Sequence, residues 1–205
     1  GEIRLEDGVY YGSATARAVS NFRASGIPAD REIILAVTEV KKAAAITNRD
    51  AGFLEQKKAD AIIAACDEVL GGAFADQFVT DALQGGAGTS LNMNVNEVLA
   101  NRAIELLGGQ KGDYSLVHPL DDVNLHQSTN DVFPTALRIA AIRRLKCVSE
   151  GFADLQTALQ EKEKEFSSVL KIGRTEMQDA VPVTLGQEFG AWAQAVSRDR
   201  WRLYK

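Results

Sequence analysis

Residues 85–97 read GGAGTSLNMNVNE, three glycines, a Thr-Ser pair and three asparagines that run directly into a helical pattern. Such a segment offers backbone N–H groups and short hydroxyl and amide side chains to an anion without any fixed positive charge. Two later stretches share its character: HQSTND at 126–131 and GRTEMQD at 173–179. Three polar, turn-forming clusters separated by long helical runs predict one site assembled from distant parts of the chain. The plain alternative is a loop that leads into a helix. The alternating amides at Asn92, Asn94 and Asn96 count against it, because packing alone does not call for them. A nucleotide loop does not fit, since no Gly-Lys-Ser/Thr ending and no clear preceding strand are present.

Outward from that stretch the chain reads as helix after helix. An extended piece is expected around Val9 to Gly12, then a helical turn around Ala14 to Ala24. Asp30 has N-cap chemistry ahead of Ile33, Ile34, Val37 and Val40, and Gly52 is placed to end that helix. A second helix is predicted from about Leu54 to Leu70, with Gly71-Gly72 as its stop signal, and a third from about Met93 to Leu107. Residues 110–128 read as a loop containing Pro119. Asn130 and Asp131 are capping candidates and Pro134 suits a first turn. From there to Phe166 the helical pattern exceeds thirty residues, which suggests bundle packing, with Gly151 as a candidate kink. Val169 to Ile172 is a short apolar run, a strand or an extended link, and Thr184 to Tyr204 is again helical.

Composition narrows the function classes. The 205 residues are 45% hydrophobic and 25% charged, with a net charge of -5 and only 4 prolines, as expected of a helical globular chain. The mild acidity and the lack of a basic cluster exclude a nucleic-acid binder. No apolar run reaches membrane-spanning length and the start lacks a signal-peptide pattern, so a cytoplasmic protein is expected. Cys66 and Cys147 read as buried free thiols in a reducing compartment. With 2 histidines and no CxxC pair, neither a structural zinc site nor any other metal or cofactor is expected. The chain starts with Gly and stops inside a helical pattern, so both ends look cut.

Taken singly, the polar residues have modest readings. Ser128, Thr129 and Asn130 are helix-capping types, and capping is compatible with anion binding. His118 and His126 have no periodic partner, Asp121 and Asp122 read as loop-surface charges, and Glu176 as a surface carboxylate.

Taken together, GGAGTSLNMNVNEVLANRAIELLG (85–108), VHPLDDVNLHQSTNDVFPTALRIAA (117–141) and GRTEMQDAVPVTLGQEFGAW (173–192) resemble the aspartase/class II fumarase superfamily, in its order and spacing. YYGSATARAVSNFRASG (10–26) and VKKAAAI (40–46) also fit. GAGTSLNMN, QSTND and DAVPVTLGQEF resemble the ammonia-lyase branch, where fumarases usually carry GSGTQTNMN, QSSND and DATPLTLGQEF.

The resemblance implies a mainly α, L-aspartase-like fold, with an N-terminal helical domain over 1–130 and the start of a long-helix bundle over 131–205. It implies deamination of a small C4 amino acid to a dicarboxylate and ammonia, with hydration of fumarate as the alternative. Thr89, Ser128, Thr129 and Asn130 match substrate-binding positions. Thr175 and Glu176 fall at the positions given to catalysis. It further implies a homotetramer with active sites shared among subunits, and no nucleic-acid or membrane partner. Three departures stand out: Glu176 where fumarases have His, Leu120 in HPLD where a second dicarboxylate site would need an amide, and DDVNLHQ in place of DHVNKSQ. The family's catalytic serine, on a Gly-Ser-Ser loop, has no counterpart in this sequence, so these residues alone are expected to be inactive. A non-catalytic helical assembly module is the competing reading from another class.

Overall fold

The computed structural model describes residue 3, residues 5–84 and residues 86–205. Gly85, the first residue of the stretch quoted above, lies outside the described residues. The chain divides into two compact units, 1–140 and 141–205, each considered by itself.

In the first unit, helices α1 (Ser13–Asn21), α2 (Arg31–Asp50), α3 (Gln56–Leu70) and α4 (Thr89–Leu106) pack around α4, where Leu91, Val95, Val98, Leu99 and Ile104 are buried. The Asp30 side chain accepts a hydrogen bond from Glu32 N and caps α2, as its chemistry predicts. Beyond the end of α2, Gly52 takes φ 78°, the left-handed turn that glycine makes without strain. The stretch from Val9 to Gly12, expected to be extended, forms no strand. Its backbone is held by side chains instead: Tyr10 N donates to Gln77 Oε1 and Gly12 N to Glu97 Oε2.

α4 begins at Thr89, not near Met93 as the sequence predicts. Asparagine is a poor helix former, so the Asn92, Asn94, Asn96 run looks like loop. Tertiary hydrogen bonds override that propensity. Asn94 accepts from Val79 N and donates to the Gln77 carbonyl, while Asn101 donates to Tyr10 O and accepts from Gly112 N. The amides stitch surrounding loops to the central helix, so packing explains most of the run after all.

α5 (Thr129–Glu165) starts five residues before Pro134, which therefore lies inside the helix. The start is set upstream, where the Ser128 hydroxyl accepts from Asn130 N and its carbonyl from Val132 N. Pro134 has no N–H to give the Asn130 carbonyl, so α5 forgoes one backbone hydrogen bond in its second turn. Val132, Ala136 and Ala140 fix the beginning of α5 in the first unit. The helix continues unbroken through Gly151, the candidate kink.

The second unit holds the rest of α5, a two-stranded antiparallel hairpin and α6 (Leu185–Tyr204). Strands β1 (Leu170–Thr175) and β2 (Gln178–Thr184) pair from Thr175 with Gln178 down to Leu170 with Thr184, with a bulge between Ile172 and Arg174. β2 is hidden in the sequence because Pro182 interrupts it, which an edge strand tolerates. A side chain at Gly173 would place Cβ 2.9 Å from the Val181 carbonyl, so the bulge needs glycine there. Thr184 and Gln187 form a reciprocal capping box at the start of α6. Cys66 is buried as expected, whereas Cys147 is exposed: the polar, largely exposed stretch of α5 around it gives it no core to enter.

Candidate active site

The helical starts of α4 and α5 come together in the first unit. Gly88, at φ 87°, sits directly against α5: a Cβ there would lie 2.2 Å from the Phe133 ring. Any side chain would push the two helices apart. Asn92, one turn into α4, donates from Nδ2 to Thr129 Oγ1 at 3.2 Å. Thr89, Ser128 and Asn130 are exposed and Thr129 is half-buried. Four predicted substrate-binding residues thus occupy two adjoining helix N-termini, where the helix dipoles favour negative charge.

Local hydrogen bonds shape this corner. Thr89 Oγ1 donates to the Gly86 carbonyl at 2.6 Å, closing the loop onto the helix. The Gln84 side chain accepts from Leu91 N at 2.7 Å and so takes up one N–H of the first turn of α4. Thr89 also lines a cleft of about 290 Å³ with Ala14, Arg17, Asn21, Phe22 and Met93. Arg17 is the basic side chain of that cleft, and the sequence reading did not single it out. The signal was available: Arg17 is the lone basic residue in α1.

α1 is held in place by a carboxylate from α4. Glu97, 3% exposed, accepts from Gly12 N (2.8 Å), Ala14 N (2.9 Å), Thr15 N (3.1 Å) and Thr15 Oγ1 (2.6 Å). α1 has no side-chain cap of its own, so Glu97 caps it from another helix. A Cβ on Gly12 would sit 2.7 Å from that carboxylate.

Below the α4–α5 corner lies a buried polar cluster. Lys41, 0% exposed, donates from Nζ to Asn124 Oδ1 at 2.7 Å. Burial pushes its pKa down to about 7. The same Asn124 oxygen accepts from Asn92 Nδ2 (3.1 Å) and Asn96 Nδ2 (3.2 Å), while Asn124 Nδ2 donates to the Gln127 carbonyl (2.8 Å).

The histidines have local roles. His118 Nδ1 accepts from the backbone N–H groups of Leu120 and Asp121, and His126 Nδ1 lies 3.1 Å from Asn48 Oδ1. Asp122 is not the simple surface charge expected. Its side chain, 14% exposed, joins the His118 backbone N–H to Lys58 Nζ and locks the π turn Pro119–Val123. Leu120 is exposed on that turn.

Thr175 and Glu176 lie at the tip of the hairpin in the second unit, both exposed. Glu176 (φ 47°) and Met177 (φ 62°) form its two-residue turn, left-handed at both positions. Asn-Gly would be the ordinary choice there. The Arg174 guanidinium braces the tip through Asp179 Oδ1 (2.8 Å) and the Met177 carbonyl (3.3 Å).

This arrangement, with its helix over 89–106 entered through a glycine loop, matches known lyases throughout its length. The family model described as lyase covers residues 1–205. The chain belongs to the aspartase/class II fumarase superfamily of lyases. An aspartate ammonia-lyase of Bacillus subtilis (strain 168) is 48% identical over 203 residues, which are 99% of this chain and 43% of that protein. A class II fumarate hydratase of Halobacterium salinarum is 49% identical over 199 residues, 97% of this chain and 42% of that protein. The crystal structure of fumarate lyase:delta crystallin from Brucella melitensis superposes with a TM-score of 0.94 at 48% identity, covering 98% of this chain and 46% of that one. The mainly α, L-aspartase-like fold expected from the sequence is the fold observed. This superfamily chain spans less than half the length of the curated relatives it matches.

Proposed function

We propose that this superfamily chain belongs to an aspartate ammonia-lyase, which converts L-aspartate to fumarate and ammonia. The observation that carries the reading is the junction of two helix N-termini bearing Thr89, Ser128, Thr129 and Asn130, tied by the Asn92–Thr129 hydrogen bond. A base removes a proton from the carbon next to one carboxylate, and the electron pair spreads into that carboxylate as an aci-form dianion. Collapse of the dianion forms the carbon–carbon double bond and expels ammonia from the neighbouring carbon. Because the carbon acid is so weak, donors placed where negative charge develops supply the largest contribution; loss of one costs on the order of 100-fold or more in rate. Ser128, Thr129 and Asn130 are assigned to that role; Thr89, whose hydroxyl hydrogen goes to the Gly86 carbonyl, is assigned to substrate contact at the start of α4. Thr175 is assigned to the substrate from the hairpin, and Glu176 to orienting the departing ammonium by charge.

The strain at the tip supports a function for Glu176. Two consecutive non-glycine residues in the left-handed region cost free energy that a purely structural turn avoids. Residues 1–130 form the proposed first domain and 131–205 begin the bundle of a homotetramer. These 205 residues carry no Gly-Ser-Ser loop, so the chain alone is predicted to leave aspartate unchanged.

A fumarase-type hydratase is the second reading, favoured by the Halobacterium salinarum relative and its 49% identity. Identity does not separate the two branches; the absence of His at position 176 disfavours the hydratase. The test is ultraviolet absorbance of fumarate formed by the full-length protein from L-aspartate and, separately, from L-malate. A rise with aspartate alone is expected. A rise with malate alone makes the protein a hydratase, and silence with both points to another amino-acid or dicarboxylate substrate; tetramers that release no product from any C4 dicarboxylate would favour the assembly-module reading.

A further inference from the structure

The proposed function leaves one conspicuous group unused, a fully buried lysine beneath the α4–α5 corner. Taking a cation out of water is costly, and a purely apolar side chain would fill the space without that cost. The hydrogen bonds around it run in one direction. Lys41 Nζ, when charged, can only donate, so it fixes the oxygen end of the Asn124 amide towards itself. Asn124 cannot turn round: its Nδ2 is committed to the Gln127 carbonyl, and three donors face its Oδ1.

That oxygen in turn orients Asn92. The Asn92 Nδ2 group has two hydrogens, one for Asn124 Oδ1 at 3.1 Å and one for Thr129 Oγ1 at 3.2 Å. The amide is held by its nitrogen end, and Asn92 Oδ1 is buried with no hydrogen-bond partner among the described residues. Asn96 Oδ1 is buried without a partner in the same way, and both amides turn their nitrogen ends to Asn124 Oδ1. A hydroxyl that already accepts from Asn92 must direct its own hydrogen elsewhere. Thr129 thereby becomes a donor at the helix N-terminus, the polarity an anion requires.

We propose that Lys41 is a positioning residue for the anion site, acting through Asn124 and Asn92 to set the Thr129 hydroxyl as a donor to a substrate carboxylate. The inference rests on the lyase reading for the identity of the anion, and on the hydrogen-bond directions for the relay. It assigns Lys41 no contact with substrate.

The experiment uses the full-length protein and succinate, an unreactive C4 dicarboxylate, as the binding probe in calorimetry, alongside turnover of L-aspartate. Lys41→Met removes the donor at similar volume, Lys41→Gln keeps a shorter donor, and Thr129→Val removes the hydroxyl. Lys41→Met and Thr129→Val are each expected to weaken succinate binding about 10-fold, the worth of one well-placed hydrogen bond. Lys41→Gln should recover part of the loss. The double variant Lys41→Met/Thr129→Val should bind no worse than the weaker-binding single variant, because both changes break one relay. Losses that multiply, or unchanged succinate binding in a folded Lys41→Met protein, would overturn the proposal. If Lys41→Met is insoluble, the same cycle with Lys41→Gln decides; insolubility of both variants would make Lys41 a folding residue and overturn it too. A wild-type protein that binds succinate but does not consume aspartate would sink the ammonia-lyase reading while leaving the relay testable.

Discussion

The Glu97 carboxylate accepts four hydrogen bonds from Gly12, Ala14 and Thr15 and so holds the wall of the cleft beside Thr89. Glu97→Gln would turn an NH₂ group onto some of those donors and leave them buried and unpaired. A loss of about 2–3 kcal/mol in urea denaturation is expected, typical of hydrogen bonds to a charged group; unchanged stability would remove Glu97 from this role. Lys41 makes a prediction about pH. Its folded pKa of about 7 lies below its ordinary 10.5, so between those values the unfolded chain binds the extra proton and stability rises with pH. Cys66, pushed up to about 12 from 9.0 mainly by burial, acts the opposite way, lowering stability above pH 9. Stability should therefore climb between pH 7 and 9, by at most ~1.4 kcal/mol per unit. Lys41→Met should flatten that climb, and a parallel slope in the variant would contradict the assignment. At this scale the sequence was a partial guide. Thr89, Ser128, Thr129 and Asn130 stand out as short polar groups at helix starts. The tasks of Asn92, Asn94, Asn96 and Lys41 depend on partners 15 to 83 positions away, such as Val79 and Asn124, which no local pattern reveals.

Elements with a strong local signal follow the sequence closely. Asp30 caps α2, Gly71-Gly72 closes α3, and the Thr184–Gln187 box opens α6. Where local propensity and tertiary contact compete, contact prevails: α4 starts early despite its asparagines, and α5 runs past Pro134 and Gly151. The hairpin is the sharpest case. Glu-Met is a poor left-handed turn, and Met177 is 97% exposed at its tip. Glu176→Asn with Met177→Gly should stabilise the second unit by about 2 kcal/mol, given the roughly 1–2 kcal/mol cost of each left-handed residue. The same pair of changes should reduce aspartate turnover in the full-length protein. Full activity with added stability would make the turn merely a strained loop.

On the scale of the molecule, α5 and α6 expose a large apolar surface. Ile142, Leu145, Val148 and Leu155 on α5, and Trp192 and Trp201 on α6, lie open. Contiguous apolar helix faces of this kind mark association surfaces. The chain of 205 residues is accordingly predicted to sediment as an assembly or to aggregate, and a stable monomer would contradict this. The long periodic run after Pro134 already announced a bundle helix. The most direct test of the central claim is a crystal structure of the full-length protein with succinate bound. The dicarboxylate is expected within hydrogen-bond distance of Thr89, Thr129 and Asn130, at the α4–α5 corner. Succinate seated instead in the larger cleft of about 510 Å³ around Phe22, Ile27 and Asp81 would contradict it.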